Sequence, residues 1–306
     1  MAGGIFLTAF TTSCTTQLEG PAQPDIKNEQ LKDSVKEAFR LEKAEPKKMR
    51  PKVNYRIDSL LTKAKIDSFN NRYSEENRKI IYALNRIDKH RVRPNTSLVI
   101  PDTLSNDLMT YSPFPEELEI LDSLPQAVLI AQRIQAFALY ENGELIKWGP
   151  VSSGKRTTQT PNGLHYANYK AKRKVSSVND SWILPYYFNF MNFEGVGTHQ
   201  YALPGYPASH ACVRMYMDDA KFIYNWAKMW EIERGQIKKN GTPFMVFGSY
   251  DFENMKPWQK LPEDMKANDL NDEELETLKD YVKQYLDDPK NFREEPEAVE
   301  DAEMIV

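Results

Sequence analysis

The chain has 306 residues, of which 41% are hydrophobic, 11% aromatic and 27% charged; this describes a soluble globular protein of one large domain or two modest ones. No apolar run approaches the ~20 residues that a membrane-spanning helix needs, which excludes that class of protein. The net charge of −4 hides a split: 18 acidic and 7 basic residues follow position 250, leaving a body at +7 that suits an anionic wall or nucleic acid and selects neither.

Residues 1–14 (MAGGIFLTAFTTSC) place a short apolar stretch and small hydroxyl residues before Cys14, which resembles the end of a bacterial lipoprotein signal. No Lys or Arg precedes the stretch, so a plain terminus with an incidental cysteine stays open beside it. Lipidation at Cys14 implies a membrane anchor and leaves Cys212 as the one free thiol; a Cys14–Cys212 disulfide is the alternative that lipidation excludes. Residues 15–52 carry Pro21, Pro24, Pro46 and Pro51 among polar residues and read as a tether. Residues 53–123 read as a helical accessory region, with helical periodicity in Ile57, Leu60, Leu61 and Ala64, then Ile80, Ile81, Leu84 and Ile87. Within it, 81–101 is similar to the closing half of a lysin-motif glycan-binding repeat, and a plain helix–turn–strand fits as well.

From residue 124 to 250 the texture becomes β. The run 128–140 is followed by Asn142-Gly143, a dipeptide suited to the positive φ values of a type I′ hairpin turn. Further β-like runs are 164–171, 182–190, 194–199 and 243–248. One helix is predicted over 217–230, with Asp218 and Asp219 in its first turn and Phe222, Ile223, Trp226 and Met229 or Trp230 as its apolar stripe. Residues 251–306 form an acidic tail, predicted helical over 263–290 and disordered beyond.

The stretch PASHACVRM (207–215) joins His210 and Cys212. A thiolate is the nucleophilic form of cysteine, and a nearby imidazole raises the thiolate fraction. His210 lies two positions before Cys212, on the same face of an extended strand, and His199 can come alongside through the Pro-Gly loop between them. A buried core cysteine is the competing reading. The longer segment HQYALPGYPASHACVRM (199–215) resembles the active-site segment of the L,D-transpeptidase catalytic domain. LYENGELIKWGPVSSGK, TPNG, GVGTH, DDAKFIYNWA and GTPFMVFG follow in that family's order, so the resemblance covers about 127–248.

The resemblance implies a β-sandwich with one packed helix, flanked here by α-helical N- and C-terminal extensions. It implies Cys212 as nucleophile and His199 as general base, held by a backbone carbonyl near residue 200. It also implies a thioester formed from a peptidoglycan donor stem peptide and passed to an acceptor amine. His210 then lines the pocket, and the backbone N–H groups of His210, Ala211 and Cys212 supply the oxyanion hole. Arg214 either binds a stem carboxylate or forms a structural salt bridge to Asp218 or Asp219. Ser209 reads as support for the strand rather than a reacting group. Ala211 stands where the family has glycine, and Gln200 and Thr198 also depart from its pattern. Two alternatives share the site: an L,D-carboxypeptidase or crosslink hydrolase, and a catalytically weak peptidoglycan-binding lipoprotein. The expectation is an envelope, periplasmic enzyme with no cofactor, no metal and no nucleic-acid partner; His90 and His165 read as ordinary residues.

Overall fold

The run 128–140, expected as one β stretch, folds back at Gln132–Gln135 into antiparallel strands β3 (Ala127–Ala131) and β4 (Ala136–Glu141). The reversal uses a left-handed residue: Gln135 has φ 49°, and its amide bonds Gln132 O and Ser153 Oγ. Asn142 (φ 46°) and Gly143 (φ 79°) make the expected tight turn into β5 (Glu144–Pro150). β13 (Pro243–Phe247) runs parallel to β3, and β6 (Gly163–Tyr166) pairs with its other edge, giving the order β5-β4-β3-β13-β6.

This sheet is buried on both faces, because alternate residues serve opposite cores. Val128, Ile130, Phe137, Leu139, Phe244 and Val246 face a second sheet. That sheet has the order β10-β9-β8-β7, built from β7 (Tyr169–Val175), β8 (Ile183–Met191), β9 (Val196–Gln200) and β10 (Val213–Met215). It contributes Phe188, Phe190, Val196, Val213 and Met215 to the shared core, which makes the architecture a β-sandwich. Leu129, Ala131, Ala138, Tyr140, Met245 and Phe247 point the other way and pack against helical segments.

The computed structural model describes Met1 and residues 52–292, and the latter lie within one compact unit. Cys14 and the predictions for 2–51 and 293–306 fall outside the described residues. The helical reading of 55–61 is corrected: Tyr55–Leu60 is a strand, β1, paired in antiparallel register with β2 (Thr96–Pro101). Six successive residues find partners there, and the pairing overrides a helical spacing carried by few apolar positions. α1 (Lys63–Arg72) and α2 (Glu75–Leu84) lie between the two strands, each started by a hydroxyl cap, Thr62 and Ser74.

α3 (Met217–Trp226) is shorter than the predicted 217–230. Ala227 leaves the helix, and Lys228 and Trp230 spend their backbone groups on Thr242 and Ala167 instead. Phe222, predicted in the buried stripe, is 38% exposed and lies 5.6 Å from the Lys147 ammonium, while Ala220 and Ile223 face the core. β11 (Glu231–Glu233) and β12 (Gln236–Lys239) form a small hairpin. α4 (Asp272–Asp287) opens with a capping box between Asn271 and Glu274 and buries Leu278, Val282 and Tyr285 on the outer face of the five-stranded sheet.

Candidate active site

β9 and β10 pair in parallel, with Thr198 beside Val213, His199 beside Arg214 and Gln200 beside Met215. In a parallel pair, register partners share a face, so His199 and Arg214 lie on one side of the sheet edge. Cys212, two positions before Arg214 and just ahead of β10, belongs to the same side. The connection 201–212 holds this register. Leu203 bonds Asp88 in both directions, through Leu203 N to the carboxylate (2.7 Å) and Asp88 N to Leu203 O (3.0 Å). Ser152 Oγ reaches Tyr206 O at 2.8 Å, and Ala208 and Ser209 donate to Ser153 O.

His199 is 3% exposed, and its Nδ1 lies 2.9 Å from Gln200 O. A carbonyl only accepts, so Nδ1 carries the proton and Nε2 keeps its lone pair. Burial, and secondarily Arg214, pushes the imidazole down to about 4 against the Gln200 bond that favours the charged form. The ring is therefore neutral at neutral pH, with a basic nitrogen free to take a proton. Burial also pushes the Cys212 thiol up, opposed by a hydrogen bond from Gly197 N–H and by Lys174 and Arg214. The resting pair is two neutral groups, not a thiolate–imidazolium ion pair. The thiol donates weakly to Gly195 O at 3.9 Å and forms no hydrogen bond to His199. For the two groups to exchange a proton, the S–H would have to turn from Gly195 O to Nε2.

Ala211 has φ 77°, a left-handed conformation that strains any residue with a Cβ, and its carbonyl accepts from Thr160 Oγ1 at 2.6 Å. This turn leaves the backbone between His210 and Cys212 in a form that strand pairing would not allow. Ser209 is buried, donates to Cys212 O, and accepts at its carbonyl from Lys155 N and Thr158 Oγ1, so its hydroxyl holds backbone. His210 sits at the edge: its Nε2 is 3.2 Å from Lys155 Nζ, and its ring is 5.3 Å from that of Trp182. An ammonium only donates, so Nε2 accepts and Nδ1 bears the proton; that N–H is buried with no partner among the described residues. Burial, then Lys155 and Arg214, lowers this imidazole too.

Arg214 is half-buried and lies 4.7 Å above the Tyr201 ring. Asp219, one of its two anticipated salt-bridge partners, pairs instead with Lys147 at 2.9 Å, and Arg214 forms no ion pair among the described residues. Sequence reasoning missed Lys155, Lys174 and Tyr201. Lys155 stands 55 residues before His210, and nothing in spacing links them. Tyr187 is fully buried, and its hydroxyl donates to Gly195 O at 2.6 Å, the carbonyl that also receives the thiol. Gly197 is required where it stands: a Cβ there would meet Phe188 O at 2.5 Å, against the strand that backs the cysteine. His165 lies 5.7 Å from the Phe190 ring, and His90 sits in a short 3-10 turn; neither is part of the cluster.

Residues 126–246 match the family model of the L,D-transpeptidase catalytic domain. Comparison with curated protein sequences finds no match. Among solved structures, the chain is similar to an L,D-transpeptidase from Stackebrandtia nassauensis, with 24% identity, 42% of this chain and 58% of that one covered, and a TM-score of 0.34. For L,D-transpeptidase 1 of Mycobacterium tuberculosis the values are 22%, 40%, 63% and 0.30. For the Xylanimonas cellulosilytica L,D-transpeptidase they are 21%, 45%, 66% and 0.35. The chain thus spans less than two thirds of each of these proteins.

Proposed function

We propose that this chain, whose residues 126–246 belong to the L,D-transpeptidase catalytic domain family, transfers an acyl group of a peptidoglycan stem peptide through Cys212. The observation that carries the reading is the neutral His199, with Nδ1 tied to Gln200 O and Nε2 unprotonated, on the same sheet face as the cysteine. Nε2 takes the thiol proton as sulfur attacks the carbonyl joining the third and fourth residues of the donor stem. The tetrahedral oxyanion is received by backbone N–H groups at His210, Ala211 and Cys212. His199 returns the proton to the departing D-amino acid amine, leaving a thioester. It then accepts a proton from the acceptor amine, which completes transfer and restores the thiol.

Arg214 and Lys174 are the cations that act on the thiol, and neither forms a salt bridge among the described residues, which suits the carboxylates of stem peptides. The substrate places the site of action in the cell envelope.

The test is covalent. Incubation with a carbapenem or a tetrapeptide muropeptide is expected to give a stoichiometric adduct by intact mass that Cys212→Ala abolishes. No adduct on the wild type, or one that persists in Cys212→Ala, would overturn the enzymatic reading and leave stem-peptide binding. An added acceptor amine then separates transfer from hydrolysis by the product formed.

A further inference from the structure

Between the α2–β2 connection, the loop at Pro204 and the short turn at 256–259 lies a cavity of about 320 Å³. That volume is at the lower end for small-molecule sites. Arg91, Arg93 and Lys256 line it together with Gln259 and Trp258, and no aspartate or glutamate is among its described lining residues. None of the three cations forms a salt bridge among the described residues. Arg93 spends only Nε on a long bond to His90 O, and Lys256 has ring contacts alone, 5.7 Å to Trp258 and 5.8 Å to Tyr206.

A fourth cation strengthens the field. Arg86 is wholly buried 4.7 Å from the same Trp258 ring, with Nη2 buried and unbonded. Asp88 is the carboxylate that acts on Arg91, and it is already held by Leu203 N–H. Burial pushes the Lys256 ammonium down, the direction expected of a cation lacking a counter-ion. The unspent groups facing the cavity are nearly all donors, so a ligand that fits must be rich in acceptors and negatively charged.

We propose that this cavity binds a small organic anion, its phosphate or carboxylate group held by Arg91, Arg93 and Lys256. One lining residue ties this cavity to the candidate site: Pro204 belongs to the connection that joins His199 to Cys212, and it is bridged to Ile87. A bound anion at this wall therefore meets that connection at Pro204, a few residues before the Ala208 and Ser209 amides that Ser153 O holds.

Titration calorimetry at low salt tests the proposal with glucose 6-phosphate, citrate, neutral glucose and inorganic phosphate. Glucose 6-phosphate or citrate is expected to bind, and the tighter of the two identifies the anionic group. The Arg91→Gln/Lys256→Gln double variant should bind about tenfold more weakly or worse, while Lys256→Arg keeps most of the affinity. Amide exchange at 203–206 and 256–259 should slow on binding. Cys212→Ala is expected to bind as the wild type does, so the result is independent of any acyl transfer. Neutral glucose binding as tightly, inorganic phosphate binding as tightly as either organic anion, no binding at all, or unchanged binding in the double variant would each overturn it.

Discussion

At the scale of single residues, Ala211 is the position where backbone and side chain disagree. A left-handed conformation costs a residue with a Cβ about 1–2 kcal/mol, whereas glycine's extra freedom in the unfolded chain costs about 0.5–1 kcal/mol. Ala211→Gly is therefore expected to stabilise the fold by roughly 0.5–1 kcal/mol in urea denaturation and to keep adduct formation at Cys212. Ala211→Val, with a branched Cβ in the same φ, should lose stability and slow acylation.

His199 makes a second residue-level prediction. Its folded value of about 4 lies below the ordinary one, so between those limits the unfolded chain binds the extra proton. Stability from the neutral ring is fully present above about pH 6.5 and is lost as pH falls toward 4, a total on the order of 3 kcal/mol. Urea midpoints followed from pH 7 to 4.5 should fall more steeply in wild type than in His199→Gln. Equal slopes in the two proteins would contradict the burial argument. The sequence offered a thiol with two candidate histidines, because a histidine, a loop and a Ser-His-x-Cys segment are local patterns, and the family resemblance pointed to His199. The tautomer was not legible there, since it depends on where Gln200 O ends up.

At the scale of elements, α4 is fastened to the sheet by one carboxylate. Glu274, nearly fully buried, receives Arg133 at 2.9 and 2.8 Å, closes the capping box at Asn271 N, and lies beside Gly248. Removing one partner of such a pair leaves a largely desolvated guanidinium. Glu274→Ala is expected to cost about 3 kcal/mol, and Glu274→Gln, which keeps the cap but not the charge, to cost less. A helix was predicted here over 263–290, and the structure forms it over Asp272–Asp287, begun by the Asn271 cap rather than at 263. The early end of α3 was not legible in the sequence: the residues 228–230 continue a helical pattern, and only Thr242 and Ala167, brought in by β13 and β6, offer their backbone a better set of partners.

At the scale of the whole molecule, the sheet that carries the site is buried on both faces, and the outer face needs cover from outside the matched segment. Leu278, Val282 and Tyr285 of α4 each contribute about 1.5–3 kcal/mol by burial, a sum comparable with the net stability of an ordinary domain. A chain ending at residue 250 is thus expected to be insoluble or to melt far below the full chain in a thermal scan, with Cys212 reacting non-selectively with a thiol reagent. A soluble truncated protein with wild-type melting would show that the outer face needs no helix.

Composition and local pattern determined the class of the protein: a β-rich body, the Asn-Gly turn, a helix after the cysteine, and a thiol with two candidate histidines. These follow from short-range rules, since turn chemistry and alternation act over a few residues. The tertiary structure alone decided what those groups experience. Parallel pairing of β9 with β10 puts His199 beside Arg214, burial makes both imidazole and thiol neutral, and Lys147 takes the aspartate that Arg214 might otherwise have met. Charge state, desolvation and the choice of ion-pair partner depend on groups far apart in the chain, and no spacing rule encodes them.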